Sequence, residues 1–340
     1  MSWKGRVAAA WRATERRALR WAKKVPFVRE RIEAQYADLV AGMERSLKPY
    51  RDELPRHRAL PTEGRARAAL LAEMEALQRR ESPRVDGGFV SGAVYHGGAE
   101  HSRFISDVYA MHLHGNPLHA DVWPSLTRYE AEIVQMTATM LGADPTDRTD
   151  GRIVGAVTSG GSESIFMAMK AYRDFAREER GIEAPEAVLP TTVHVAFDKA
   201  CHYLGVRPVR IGVDADLRAS VDEARRAIGR RTMVVVGSAP GFPHGVVDPI
   251  EALSELARSR GVGFHADACL GGFVLPWARR LGHAVPPFDF QLPGVTSMSA
   301  DTHKYGYAPK GTSVVLYRGL ALRRHQYFTA PDWPAAVGEA

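Results

Sequence analysis

The stretch RIVGAVTSGGSESI, Arg152 to Ile165, decides the fold. Ile153 to Val157 read as a buried strand, because a short β-branched run bounded by turn residues suits a pleated, packed surface. Ser159, Gly160 and Gly161 interrupt it, and a helical pattern follows over 163–180. A strand that turns through glycines straight into a helix is one unit of an α/β protein. The same texture recurs outward. TVHVAF (Thr192–Phe197), TMVVVGSA (Thr232–Ala239), GVGFHADA (Gly261–Ala268) and GTSVVLYR (Gly311–Arg318) read as strands, while 126–141, 219–229 and 249–260 read as helices. Repeated alternation predicts an α/β fold with a mostly parallel sheet flanked by helices on both faces.

Upstream the texture differs. Residues 1–85 read as a charged helical arm broken at Pro26, Pro55, Pro61 and Pro83, and residues 86–330 as the large domain. A chain of 340 residues with 45% hydrophobic and 25% charged residues has enough apolar material for a substantial core, which excludes a disordered or collagen-like chain. No apolar run reaches the length of a membrane span. Arg12, Glu15, Arg16 and Arg17 interrupt the N-terminal stretch where a secretory leader needs an apolar centre, so the chain reads as cytoplasmic. Cys201 and Cys269, its two cysteines, give neither a disulfide framework nor a metal-ligand spacing.

The net charge of +6 is concentrated in residues 4–31, where ten basic residues face Glu15 and Glu30 alone. Val7, Trp11, Leu19 and Trp21 are loosely helical in spacing, which makes peripheral membrane contact through a basic amphipathic helix one reading and a solvated helix on a partner subunit the other. No nucleic-acid-binding motif accompanies the charge, so nucleic acid is not an expected partner.

Four motifs fall at the expected strand ends, where an open α/β sheet places its ligands. In TSGGSESI (Thr158–Ile165), Gly160 and Gly161 let backbone approach an anion, Ser159 and Ser162 add hydroxyls, and the next helix aims its N-terminal N–H groups at the same point. The pattern is that of a phosphate cradle, although a glycine turn before an N-cap serine is common without one. HADACLGGF (His265–Phe273) ends a strand in Asp267, which can hold a heteroaromatic nitrogen protonated or simply cap a helix. His194, in TVHVAF, is either a satisfied core residue or a flat ring for stacking on an aromatic cofactor. In SMSADTHKYGYAPKGTSVVLY (Ser297–Tyr317), Lys304 is an amine that can form a Schiff base with an aldehyde once deprotonated in a confined site. Cradle, carboxylate, planar ring and reactive lysine together are the parts that pyridoxal 5'-phosphate requires.

The chain also resembles a known family, the sphingosine-1-phosphate lyases. These belong to the pyridoxal-phosphate-dependent group (group II decarboxylase family) that contains glutamate and aromatic amino acid decarboxylases. The resemblance runs from about residue 24 to 333, on KVPFVRERI, VSGAVYHG, GNPLHADVWP, TSGGSESIFMAMKAYRDFA, HVAFDKACHYLGV, FPHGVVDPI, HADACLGGF, FDFQLPGVTSMSADTHKYGYAPKGTSVVLY and YFTAPDW. It implies the large domain of a fold-type-I pyridoxal-phosphate transferase and a homodimer with shared active sites. Carried over to this sequence, it makes Lys304 the aldimine lysine, Asp267 the partner of the ring nitrogen and His194 the stacked ring, with Ser159, Gly160, Gly161 and Ser162 around the cofactor phosphate. His303 flanks the aldimine and Tyr95 reaches the substrate. Asn116, His119 and Lys310 contact the substrate phosphate. Read from the residues alone, Lys310 would be a solvated loop lysine.

The implied reaction cleaves a phosphorylated long-chain amino alcohol, a sphingoid base phosphate, to a long-chain aldehyde and phosphoethanolamine. The alternatives are an amino acid decarboxylase of the same family and an inactive relative. NPLH with Lys310 speaks against the decarboxylase, since a free amino acid needs no phosphate ligands. Beyond YFTAPDW the resemblance predicts a C-terminal small domain, whereas residues 331–340 read as a short tail in its place.

Overall fold

The computed structural model describes residues 26–330, apart from 56, 89 and 91. The basic segment up to residue 25 and the tail over 331–340 lie outside the described residues. By its internal contacts the chain forms two units, residues 1–83 and 84–340.

The first unit contributes α1 (Pro26–Leu47) and most of α2 (Arg67–Asp86). Neither helix has a described residue in the fully buried class, so local pairs bear much of the order: Arg65 bonds Glu73 at 2.6 Å, and Arg80 reaches Glu53 at 2.8 Å while its guanidinium covers the Tyr50 ring at 4.7 Å. Exposed pairs of this kind contribute only ~0.2–1 kcal/mol each.

The second unit holds the sheet. Its elements in order are α3 (Ala99–Met111), α4 (Pro124–Met140), β1 (Ile153–Thr158), α5 (Gly161–Arg180), β2 (Glu186–Pro190), α6 (Ala196–Leu204), β3 (Arg207–Ile211), α7 (Val221–Ala227), β4 (Thr232–Ser238), α8 (Ile250–Ser259), β5 (Gly263–Asp267), α9 (Leu275–Arg280), β6 (Ser297–Ala300), β7 (Ser313–Arg318) and α10 (Leu320–Arg323). The seven strands are ordered β1-β7-β6-β5-β4-β2-β3. β3, β2, β4, β5 and β6 run parallel, and β7 is antiparallel to both of its neighbours.

Successive side chains of a strand point to opposite faces, and here they feed two cores. Val188, Val235, Val314 and Leu316 join the layer that includes Ile250, Leu253 and Ala257 of α8. Ala187, Leu189, Val234, Val236, Val315 and Tyr317 join the layer built by α5 and α6. On α5 the contributing residues are Ile165, Ala168, Met169, Tyr172 and Ala176, spacing that keeps one helical stripe against the sheet. Every residue of β2 and β4 is buried, as expected of strands covered on both faces.

The sequence reading needs correction at β2, β3 and β6, none of which it read as a strand. TVHVAF is not a strand: the strand is β2, just upstream, and Thr192 to Val195 form the turn that leads into α6. The alternation Val193, Val195 imitates a pleat, yet Val195 is 69% exposed and has no sheet to face. His194 is therefore neither a strand residue nor a core residue; it is exposed, and its Nδ1 accepts the Ala196 N–H at 3.1 Å. β3 escaped the reading because RPVRI lies at the sheet edge, where Arg207, Pro208 and Arg210 stay exposed and blunt the strand. Arg207 and Arg231 both reach Glu186 of β2, at 2.5 and 2.6 Å.

Candidate active site

The C-terminal ends of β1, β5 and β6 and the turn after β2 open onto one cavity of about 410 Å³. Its lining brings together Ser159, Gly160, Gly161, Ser162, His194, Asp267, His303 and Lys304, all singled out in the sequence. It adds Glu163, Phe242, Cys269 and Asp301, which were not.

Lys304 sits in a tight turn after β6. Asp301 O accepts the Lys304 N–H, Lys304 O accepts Tyr307 N–H at 3.0 Å, and Thr302 O accepts Ala308 N–H at 3.1 Å. Gly306 has no room for a side chain, since a Cβ there would lie 2.5 Å from Thr302 O. Tyr307 takes φ 56°, an uncommon conformation for a bulky residue, and His101 of α3 bonds its carbonyl at 2.8 Å. The turn delivers Lys304 Nζ to Asp301 Oδ2 at 2.9 Å. Burial opposes the charge on this amine most strongly, but Asp301, with Cys269 and Asp267 adding to it, lifts the lysine above its ordinary value. His303 turns its Nδ1 to Thr312 O, and its Nε2 stands 4.0 Å from Asp301 Oδ2.

Asp267 ends β5 with 6% of its surface exposed. Its Oδ1 accepts the Cys269 N–H at 3.1 Å and the Ser299 hydroxyl at 3.3 Å. Ser299 spends its proton on Asp267, so toward His265 Nε2, 3.2 Å away, it acts as acceptor and that nitrogen carries the ring proton. Burial pushes His265 down to about 4, so the ring is neutral and Nδ1 accepts from Ser297 at 2.7 Å. Ser297 Oγ also lies 2.7 Å from the Tyr172 hydroxyl, which donates to Phe264 O at 3.2 Å. Tyr172, Ser297, His265, Ser299 and Asp267 thus form one continuous buried hydrogen-bonded series.

The glycine turn is fixed from beneath by three hydroxyls. Thr158 Oγ1 bonds Ser164 Oγ at 2.6 Å, Ser164 bonds Ser313 at 2.9 Å, and Ser313 donates to Ala300 O at 3.2 Å, which ties β1 and the first turn of α5 to β7 and β6. Gly161 is the close approach: a Cβ there would sit 2.7 and 2.8 Å from the Asp301 carboxylate oxygens and 2.9 Å from Cys269 Sγ. Glu163 Oε2 takes the Ser159 N–H at 2.6 Å. Gly160 O accepts the Glu163 and Ser164 N–H groups at 3.0 Å each, so Gly161 and Ser162, both lining the cavity, stand at the positive end of a helix of 20 residues.

The remaining candidates do not line this cavity. Tyr95 flanks the lysine turn, edge-on to Tyr305 at 5.1 Å, with its hydroxyl on Gly92 O at 3.0 Å, and burial raises its phenol while the Lys304 charge opposes that. Lys310 donates to Ala93 O at 2.9 Å and lies 5.6 Å from the Tyr95 ring centroid. Asn116 and His119 belong to the connection between α3 and α4; Asn116 Oδ1 accepts Leu118 N–H at 3.1 Å, and the His119 ring lies 6.4 Å from Trp123. Asp301 is the main residue the sequence reading missed. Its signal was present as a carboxylate three positions before Lys304, hidden because DTHK also reads as a plain polar turn.

Comparison with known proteins gives this geometry its context. A sequence profile described as the pyridoxal-dependent decarboxylase conserved domain matches residues 77–329. The sphingosine-1-phosphate lyase of Arabidopsis thaliana is 46% identical over 321 residues, 93% of this chain and 57% of that protein. Sphingosine-1-phosphate lyase 1 of Mus musculus is 41% identical over 336 residues, 96% of this chain and 56% of that protein. The chain thus spans a little over half the length of these relatives. The solved structure of Burkholderia pseudomallei sphingosine-1-phosphate lyase superposes with TM-score 0.81 at 43% identity, covering 84% of this chain and 66% of that one. Glutamate decarboxylase of Lactobacillus brevis, 21% identical, shares the fold with TM-score 0.65 over 81% of this chain and 62% of that one. The sheet is accordingly that of a fold-type-I pyridoxal-phosphate enzyme, and with its profile matched over the whole of the sheet this chain belongs to the pyridoxal-dependent decarboxylase family.

Proposed function

We propose that this chain carries the cofactor site of a pyridoxal-phosphate-dependent aldehyde lyase acting on phosphorylated sphingoid bases. One observation bears most of the weight. Lys304, the sole lysine among the cavity-lining residues, stands beside two buried carboxylates, Asp301 and Asp267, at the mouth of a helix N-terminus built from Ser159 to Ser162. Sphingosine-1-phosphate lyases match it at 37–46% identity over most of its length.

Pyridoxal 5'-phosphate is the cofactor of the family, and the cavity fits it. The volume falls within the ~300–1,000 Å³ range of small-molecule sites. At Gly161 a side chain would run into the Asp301 carboxylate and Cys269 Sγ, both of which line the cavity. When bound, the cofactor supplies an aldehyde that captures amines and a ring that accepts the electron pair of a breaking carbon–carbon bond.

The residues around it divide the work. Gly160, Gly161 and the hydroxyls of Ser159 and Ser162 hold the phosphate against the N-terminus of α5. Asp267, buried at the end of β5, would pair with the ring nitrogen and favour its protonated form. His194, whose Nδ1 accepts the Ala196 N–H, would offer its ring for stacking on the cofactor. Lys304 presents the amine, with His303 beside it. Tyr95 approaches from the side of the substrate, and Lys310, Asn116 and His119 bind its phosphate. The last two do not line the cavity of one chain, so the proposal includes a homodimer with shared sites. Phe104, Met111 and Leu118, at 62%, 78% and 76% exposure, supply apolar surface of the kind an interface covers.

The test is direct. The purified chain is incubated with pyridoxal phosphate and a sphingoid base phosphate, and long-chain aldehyde and phosphoethanolamine are measured beside carbon dioxide release from free amino acids. Aldehyde with phosphoethanolamine supports the proposal. Carbon dioxide from an amino acid, with no aldehyde, overturns it in favour of a decarboxylase.

A further inference from the structure

Asp301 has no role in the reading above beyond its proximity, yet its surroundings are unusual. It is 3% exposed, its Oδ2 meets Lys304 Nζ at 2.9 Å, and its Oδ1 is buried without a hydrogen-bond partner among the described residues. Leaving a buried carboxylate oxygen unpaired is costly, so such a group is retained where its charge is used. The backbone makes room for it: with any side chain at position 161 the carboxylate would have to move.

We infer that Asp301 is the proton acceptor of Lys304, a positioning residue that holds the amine as an ammonium in the resting chain and takes its proton when the amine reacts. This rests on the reading of Lys304 as the amine that captures the cofactor aldehyde. Attack requires the Nζ lone pair, so one of the three ammonium protons must leave. Asp301 Oδ2 is in hydrogen-bond contact to receive it. As the carbon–nitrogen double bond forms, the remaining two protons leave with the aldehyde oxygen as water, and the balance closes with no other reactant. When a substrate amine later displaces Lys304, the protonated Asp301 returns the proton to Nζ.

Other groups face the amine and must be separated from Asp301. Asp267 approaches from the end of β5, and Cys269, buried and its thiol pushed up by that burial, from the loop after it. His303 lies next to Lys304 in the turn and Tyr95 on its outer side. Asp301 is the carboxylate in hydrogen-bond contact with Nζ, so removing its charge alone should release the amine.

The experiment uses the full chain freed of cofactor. Lys304 is labelled with cyanate across a pH series and quantified by peptide mass spectrometry, in the parent and in Asp301→Asn. In the parent, half-maximal reactivity is expected above the free-lysine value of about 10.4. In Asp301→Asn it should move down by at least one pH unit, a tenfold or greater rise in labelling below the parent midpoint. Superimposable profiles overturn the inference. If Asp301→Asn does not fold, the parent decides alone, because a midpoint at or below the free-lysine value means burial governs the amine and Asp301 does not. In parallel, pyridoxal phosphate is added to the parent and to Lys304→Ala. A yellow band that survives in Lys304→Ala removes the reading of Lys304 itself, an outcome separate from a failure of the labelling result.

Discussion

Two parts of the second unit carry candidate residues, and they are built on opposite principles. At the strand ends, Asp267, Asp301 and the turn from Ser159 to Ser162 are set by a sheet buried on both faces, and each buried carboxylate has its own partner. In the segment from Gly92 to Trp123, together with Lys310, polar groups make short local bonds such as Tyr95 to Gly92 and Asn116 to Leu118, while apolar side chains remain exposed. A buried charge constrains its neighbours, because an unpaired one is expensive. A solvated one constrains nothing, so the same residue types carry different information in the two places.

The largest test of this contrast is at its centre. Lys304→Ala should abolish the yellow band that pyridoxal phosphate gives with the parent, with the fold retained by circular dichroism. A band of unchanged intensity would move the reactive amine elsewhere. The next effect concerns His265, in the middle of the hydrogen-bonded series that ends on Asp267. Its folded-state value near 4 lies below the unfolded ~6.5, so the unfolded chain binds more protons between these limits. The stability that neutral His265 contributes is therefore complete above pH 6.5 and is lost as pH falls toward 4, at up to ~1.4 kcal/mol per pH unit. Urea unfolding at pH 7 and pH 5 should show the loss in the parent and less of it in His265→Gln. Equal acid sensitivity in both would assign it to other groups.

The difference between the two regions also explains what could be read in advance. β1, β4, β5 and β7 are short apolar runs because both of their faces are covered, and burial on two faces leaves a compositional signature that one chain suffices to show. Thr192–Phe197 carries the same signature without the burial, which only the sheet register exposes. Lys304, Asp267 and the glycine turn were legible because their residue types have few reasons to stand together at strand ends. Asp301 was not, since its meaning depends on a contact closed by the fold of one turn. Ser297, Ser299 and His265 were invisible for a related reason: single hydroxyls and a histidine gain direction only when β5 and β6 pair in register, His265 against Ser297 and Asp267 against Ser299.

Gly161 sharpens the contrast at smaller scale. Replacing it with alanine drives a methyl group against the Asp301 carboxylate and Cys269 Sγ, both buried and neither the tip of a long flexible chain. Overpacking of this kind costs ~1–3 kcal/mol. Gly161→Ala should lower the melting temperature and weaken retention of pyridoxal phosphate on dialysis. A variant as stable as the parent that keeps its cofactor would show that the turn has slack the packing does not suggest.

Lys310 marks the lower limit of the series. Its amine donates to the Ala93 carbonyl from an exposed position and lies near the Tyr95 ring, contacts that solvent largely replaces. Lys310→Ala should therefore change stability by no more than ~0.5 kcal/mol and leave the yellow band intact. If the outer region serves the substrate as proposed, the same variant should nevertheless raise KM for a phosphorylated sphingoid base, because a charge-assisted bond to phosphate is lost. The two regions then separate in one experiment, with the cofactor spectrum reporting the strand ends and KM reporting the loops. A loss of band and turnover in equal measure would join Lys310 to the cofactor side and erase the distinction.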